Sequence, residues 1–274
     1  MIQTWDPKNI SYLDTCIKSI KNLDYPKEQL QVIVTCPLHH RVNYEDVLSV
    51  TPAKEYDSSV EGANFGSQYV DKDAKYIWFL NDDTVVTKSS LKNMIEVAEQ
   101  TGQIIHPISP CDNQSSYLLH FQIQAKDGTA KPIQKRFHRF HELESDLDNM
   151  MNSQSVYPPG LIPQPYLCMF ATLVPKAIWD DVGEFDQTFE TGQDDIDYSL
   201  RAKQKGYQMF VALNALVWHF GGATADTSTN LEKRKKNIAY FLKKWGMYPP
   251  GMSAESVARL DESYIQPGPP NQSY

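Results

Sequence analysis

The chain has 274 residues, 41% of them hydrophobic, with 15 Tyr, 11 Phe and 5 Trp, so it can bury a sizeable core as one large domain or two closely joined halves. Its formal charge of −8 speaks against a nonspecific grip on polyanions, and no apolar run approaches the ~20 residues of a bilayer-spanning helix. The opening MIQTWDPKNI lacks the basic-then-apolar order of a signal peptide. Cys16, Cys36, Cys111 and Cys168 lie far apart with no CxxC pair, which argues against zinc and for reduced, mostly buried thiols in a cytoplasmic setting.

Ile2–Trp5 reads as a short strand, followed by the turn-rich Asp6-Pro7-Lys8-Asn9. From Ser11 to Leu23 the residues Leu13, Ile17 and Ile20 recur at helical spacing, and Asp24-Tyr25-Pro26 breaks the helix. Leu30–Cys36 is β-branched and apolar, a buried strand. Residues 63–70 read as helix, Tyr76–Leu80 as strand, Ser89–Thr101 as a helix stopped by Gly102, and QIIHPIS as a further strand. Such strand–helix repeats predict an α/β fold with a mostly parallel, Rossmann-like sheet, whose ligands collect at the carboxyl ends of the strands.

The second half is less regular. Residues 116–125 and 130–134 form a candidate hairpin around Asp127-Gly128, residues 141–152 a polar, exposed helix, and Tyr157–Pro165, with four prolines, a loop or a junction between halves. Leu167–Val174 reads as a strand, Lys176–Val182 as a short helix ended by Gly183, and Asp194–Lys205 as a helix closed by Gly206. Two short strands, Tyr207–Leu213 and Ala215–Trp218, precede an amphipathic helix over Leu231–Trp245. Residues 1–248 are therefore expected to form a single domain, with a ligand-binding half (1–110) and a second half (111–248), and the Pro- and Ser-rich 249–274 a loosely ordered tail.

Two acidic constellations stand out. Asn81-Asp82-Asp83 follows the apolar Tyr76-Ile77-Trp78-Phe79-Leu80. It reads either as an ordinary Asx turn or as a site for Mg²⁺ or Mn²⁺, hard cations that take few protein carboxylates and complete their shell with water and phosphate oxygens. Gly192-Gln193-Asp194-Asp195-Ile196-Asp197 crowds three carboxylates at a helix start. The macrodipole favours that by itself, yet one carboxylate facing a cleft would serve as a proton acceptor. Asp197 is better placed to pair with Arg201 at i,i+4. His219 ends a strand before Gly221-Gly222-Ala223-Thr224, where it is either a core residue or part of a phosphate contact. The adjacent His39-His40 pair reads as a solvated loop in preference to a metal site, and Lys135–Arg139 and Lys233–Lys236 as solvated basic faces or docking patches for an anionic ligand.

The order of these features resembles the GT-A-fold glycosyltransferases, specifically the family 2 of inverting enzymes that includes rhamnosyltransferases and polysaccharide transferases. YIWFLNDDTVVTKSSL is similar to that family's metal-binding strand with a variant DXD motif, and VGEFDQTFETGQDDIDYSLRAKQKGYQMFVALNALVWHFGGAT to its block around the catalytic acid. TWDPKNISYLDTCIKSI, GANFGSQYV and NIAYFLKKWG also match its opening loop, its Asn-bearing helix and its C-terminal helix. The resemblance covers roughly residues 1–246, leaves 112–165 uncovered, and implies a hexosyltransferase-type enzyme moving a sugar from a nucleotide-diphospho-sugar to a hydroxyl of a glycan or other acceptor.

Residue by residue, the resemblance implies that Asp83 and His219 hold Mn²⁺ or Mg²⁺ and that Asp195, beside Asp194, is the catalytic base. Thr4, Asp6, Asn64, Asn81 and Asp82 are implied at the donor. A UDP-sugar is favoured over a dTDP- or GDP-sugar. Asn81 departs from the Asp that many relatives carry, and Cys36-Pro37-Leu38-His39-His40 stands where relatives show an acidic turn. Peripheral membrane contact through residues 231–245 and packing of that helix onto the domain remain alternatives, as do a glycan-binding module with a degenerate site and a sugar nucleotidyltransferase. Nucleic acid is the least favoured acceptor for so acidic a chain.

Overall fold

The computed structural model describes residues 1–3, 10–37, 42–52, 58–109, 122–124, 130–132, 147–155, 157–166, 168–190, 192–220 and 230–258. The first half contains β1 (Ile2–Gln3), α1 (Ile10–Lys21), β2 (Ile33–Thr35), β3 (Leu48–Val50), α2 (Ser59–Ser67), β4 (Tyr76–Asn81), β5 (Thr84–Val86), α3 (Ser90–Thr101) and β6 (Ile104–Ile108). The second contains the hairpin strands β7 (Gln122–Gln124) and β8 (Ala130–Pro132), then α4 (Leu147–Met151), β9 (Leu161–Gln164), β10 (Ala171–Pro175), α5 (Lys176–Val182), α6 (Asp194–Gln204), β11 (Met209–His219), α7 (Asn230–Trp245) and α8 (Ala254–Ala258).

The main sheet runs β3-β2-β1-β4-β10-β6-β11-β5, with β9 added to β11. β3, β2, β1 and β4 are parallel neighbours, as are β6 and β11, whereas β10 runs antiparallel between β4 and β6. The period-2 alternation of β4 divides the core. Trp78 and Leu80 pack in one layer with Leu13, Cys16 and Ile17 of α1 and Leu91 and Met94 of α3. Ile77 and Phe79 pack in the other with Val60 and Ala63 of α2, Trp179 of α5 and Tyr198 of α6. α1 and α3 therefore cover one face, and α2, α5 and α6 the other.

Phe79 anchors the second layer: its ring centroid lies 4.9 Å from Trp179 and 5.3 Å from Phe185. Phe79→Ala should cost about 3–5 kcal/mol, the range for emptying a buried aromatic site. Urea unfolding should show this as a lower midpoint with an unchanged m-value.

Several expectations need correction. The proline-rich stretch contains β9, an edge strand, and Pro163 is accommodated because an edge residue can leave a ladder position without a donor. Met209–His219 is one strand where two, Tyr207–Leu213 and Ala215–Trp218, were expected, with a register shift between Ala212 and Leu216. The described part of the polar helix, α4, buries Leu147, Met150 and Met151 against Val85 and Trp218. The tail carries a short helix at Ala254–Ala258, while 259–274 lie outside the described residues. On α7, Ile238 and Phe241 are buried in the domain, and Leu242 and Trp245 are partly buried. No described helix is long and apolar enough to cross a membrane.

Candidate active site

Residues 76–80 form the strand that delivers Asn81, Asp82 and Asp83 because every side chain from Ile77 to Leu80 has an apolar layer to enter. The chain turns immediately. Thr84 donates its hydroxyl to the Asn81 carbonyl at 2.8 Å, and β5 then pairs with the end of β11, setting Thr84 opposite His219. Phe220 N donates to the Asp83 carbonyl at 3.0 Å. Asp83 is thereby fixed beside His219, with Asp83 Oδ1 3.2 Å from His219 Nε2. Asn81 Nδ2 lies 3.2 Å from the same nitrogen. The Phe170 ring stacks on the imidazole at 4.4 Å and 6°, which fixes the plane of the ring. Asp82, Asp83 and His219 are all buried.

This donor set fits a hard divalent cation. An unprotonated His219 Nε2 carries one lone pair, which either accepts from Asn81 or is given to a cation, and the Asp83 carboxylate is a second electron-rich group at 3.2 Å. Neighbouring ligands of an octahedral cation with ~2.1 Å bonds lie about 3 Å apart, so the separation suits a shared ion. Among the described residues no group of three or more His, Cys, Asp or Glu side chains converges, which leaves most of such a shell to water and phosphate oxygens.

The second acidic cluster opens α6. Gly192 and Gln193 both adopt left-handed conformations (φ 79° and 67°), and Gln193 is the N-cap. Asp195 Oδ1 accepts from the Ile196 amide at 2.8 Å, and the Cys168 thiol donates to the same carboxylate. Burial raises Asp195 above the usual carboxylate range, the charge of Asp194 adds to the rise, and the bonds from Ile196 and Cys168 oppose it. Asp194 is raised as well, again chiefly by burial. Both side chains are half-buried. Asp197 points the other way, into full burial, where it accepts from Arg201 Nε at 2.8 Å, Trp245 Nε1 at 3.0 Å and Lys244 Nζ at 2.6 Å. The i,i+4 spacing foresaw the first of these.

The two clusters meet through one short segment. Asn81 N donates to the Phe170 carbonyl at 2.9 Å, Phe170 stacks on His219, and Cys168, two residues earlier, holds Asp195. Two residues of chain reach at most about 7 Å. The Asp83–His219 pair and the Asp194–Asp195 pair are thus tied to the same short segment beside the carboxyl end of β4. A cavity of about 470 Å³ lies at the opposite edge, lined by Leu30, Val32, Tyr76, Trp78 and Leu91 among others, and does not touch these carboxylates.

Asn64 lies in the packing between α2 and the second half of the chain. Its amide donates to the Phe185 carbonyl at 2.8 Å and accepts from the Phe185 amide at 3.0 Å, in full burial, so it ties α2 to the chain ahead of α6. Thr4, Asp6, His39, His40, Lys135–Arg139 and Gly221–Thr224 lie outside the described residues. Sequence reasoning missed Phe170, Cys168 and Tyr12, whose phenol is raised by burial and then by the charge of Asp83. Only the pairing of β10 with β4 brings the first two to the site, and no local spacing encodes that.

The chain matches the family described as Glycosyltransferase like family 2 over residues 11–237. No curated protein matches it in sequence. Among solved structures it is similar to S. aureus TarS residues 1–349, at 11% identity and a TM-score of 0.52, covering 96% of this chain and 66% of that one. The same TarS fragment with UDP-GlcNAc gives 11% identity and a TM-score of 0.52, covering 96% and 68%. GalNAc-T7 with UDP, GalNAc and Mn²⁺ gives 10% identity and a TM-score of 0.55, covering 80% of this chain and 42% of that one. The chain thus spans about two thirds of the TarS fragment and about two fifths of GalNAc-T7. By the matched span and the layered sheet, the chain belongs to the glycosyltransferase-like family 2 and has the GT-A fold.

Proposed function

We propose that the protein is a metal-dependent, inverting glycosyltransferase that moves a sugar from a nucleotide-diphospho-sugar to a hydroxyl of a glycan or similar acceptor. The supporting observation is the junction at Cys168–Phe170, which touches both the Asp83–His219 pair and the Asp195 carboxylate. Such an arrangement suits a reaction with a charged leaving group at one end and a proton to remove at the other. The TarS structures contain UDP and UDP-GlcNAc, and that of GalNAc-T7 contains UDP, GalNAc and Mn²⁺. A UDP-sugar is therefore the first donor to try, ahead of dTDP- and GDP-sugars. Residues 1–110 would supply the donor half of the site and 111–248 the acceptor half.

Asp83 and His219 would hold Mn²⁺ or Mg²⁺, whose chemistry is Lewis-acid stabilisation of the departing diphosphate. Asn81 and Asp82 border that position and would orient the donor. Asp195 takes the proton of the acceptor hydroxyl as its oxygen bonds to the anomeric carbon and the carbon–oxygen bond to the diphosphate breaks. Attack from the face opposite the leaving group inverts the anomeric centre. The raised affinity of Asp195 for a proton makes it a better acceptor for one than an exposed carboxylate. The same environment sets a limit in acid, so turnover should fall at a pH above the ~4 at which an ordinary Asp titrates. Turnover still flat at about pH 5 would contradict that environment.

The test is a thermal-shift panel of UDP-, dTDP- and GDP-sugars with Mn²⁺, followed by nucleotide release and NMR of the product's anomeric configuration. A donor at 100 times its Kd should stabilise the fold by about 2.7 kcal/mol. Turnover with an inverted product supports the reading. Stabilisation without turnover would favour a binding module, and released pyrophosphate would favour a nucleotidyltransferase.

A further inference from the structure

Asp195 is presented by a strained turn, and the structure shows what holds that turn. Gly192 and Gln193 are consecutive left-handed residues, a conformation that costs a non-glycine residue such as Gln193 roughly 1–2 kcal/mol. Such a conformation persists only when its surroundings over-determine it. The Gln193 carbonyl accepts from the Asp197 amide at 2.9 Å, so any change in the turn is passed directly to the first turn of α6.

Asn237, on α7, reaches this turn from outside α6. Its Oδ1 accepts from the Glu190 amide at 3.3 Å, and its Nδ2 donates to the Gly192 carbonyl at 3.0 Å. One buried amide thereby grips the backbone on both sides of residue 191. The helix behind it is firmly anchored. Phe241 is fully buried, Tyr240 donates to Asp186 at 2.9 Å, and Trp245 and Lys244 both bond Asp197. Burial works against the charge on Asp186, but the bonds from Lys244, Thr188 and Tyr240 outweigh it and hold that carboxyl below its usual range. Lys233 makes a half-exposed ion pair with Glu190 at 3.0 Å.

We propose that Asn237 is a positioning residue for the transfer reaction: its side-chain amide fixes the backbone at Glu190 and at Gly192-Gln193, and through it the Asp194–Asp195 pair, against α7. The proposal rests on the reading of Asp195 as the base. It also gives α7 a role in turnover.

Asn237→Ala and the near-isosteric Asn237→Asp both remove the donor to Gly192, and the second keeps the size of the side chain. Each should lower kcat about 10–100-fold, since a displacement on the order of 1 Å in a reacting group can cost that much. Donor KM, and the affinity for UDP with Mn²⁺ by calorimetry, should stay within roughly twofold of wild type. Lys243→Ala, an exposed position of the same helix, should leave kcat unchanged. The assay uses Mn²⁺ and whichever nucleotide-sugar of the panel is turned over.

Wild-type kcat in both Asn237 variants, in an assay where Asp195→Asn is inactive, overturns the positioning role and leaves the base assignment standing. A fall in kcat that carries UDP affinity and melting temperature down with it makes Asn237 merely structural, and also overturns the proposal. Full turnover by Asp195→Asn removes the base assignment and this proposal together.

Discussion

Asp195→Asn is expected to cut transfer by about 10²–10⁴-fold, the usual contribution of general-base help, while UDP binding with Mn²⁺ stays intact. The same substitution should stabilise the protein above neutral pH. The Asp195 carboxyl binds its proton more tightly in the folded chain than in the unfolded one, because of its burial and then the charge of Asp194. Below the ordinary carboxylate range both states are protonated and the folded state has its full stability. As pH rises past that range the unfolded chain ionises first, and stability is lost progressively until pH passes the raised folded value. Asparagine does not ionise, so the gap in melting temperature between variant and wild type should be small near pH 4 and open toward pH 8. A variant that keeps wild-type turnover would remove Asp195 from the mechanism. A gap of the same size at both pH values would mean that its carboxyl is not perturbed as described. Losing activity while gaining stability is the pattern expected of a group held at a cost for function.

What the sequence made legible follows from how local each cause is. Tyr76–Asn81 was readable because a continuous apolar run ending in Asn-Asp-Asp is both a buried strand and its stop. α3 and its Gly102 end, α5 and its Gly183 end, and the Asp197–Arg201 pair were readable for the same reason: their causes lie within about one helical turn. β3 and β5 have three residues each, too few for a period of two to declare itself, so only their partners define them. The antiparallel placing of β10 between β4 and β6 is a long-range pairing with no local signature. That pairing brings Phe170 to His219 and Cys168 to Asp195, and so half of the site's supporting contacts were invisible beforehand. Asn64 and Asn237 make the same point from opposite sides. One, expected at the donor, brackets Phe185, a long-range contact that no spacing encodes; the other lies in an amphipathic helix and brackets the turn before Asp194.

Asp83→Ala is expected to abolish the metal-dependent part of donor binding. Calorimetric titration of UDP should show an affinity gain on adding Mn²⁺ for the wild type and little or none for the variant. Removing groups that only support a metal ligand commonly costs 10–100-fold in metal affinity, so losing the carboxylate itself should cost about 100-fold or more. His219→Ala should act in the same direction but less strongly, because Phe170 stacking and the Asn81 contact show the imidazole to be part of a wider support around Nε2. Asn81→Asp is the informative converse. It sets a second carboxylate beside the nitrogen that faces Asp83, which without a cation adds repulsion among buried acceptors and with one adds a ligand. That variant should therefore be less stable than wild type in EDTA and gain more in melting temperature from Mn²⁺. Equal responses of wild type, Asp83→Ala and Asn81→Asp to Mn²⁺ and EDTA would show that no cation is held at this strand end. The fold would stand, and the departing diphosphate would have to be stabilised by other groups on the chain.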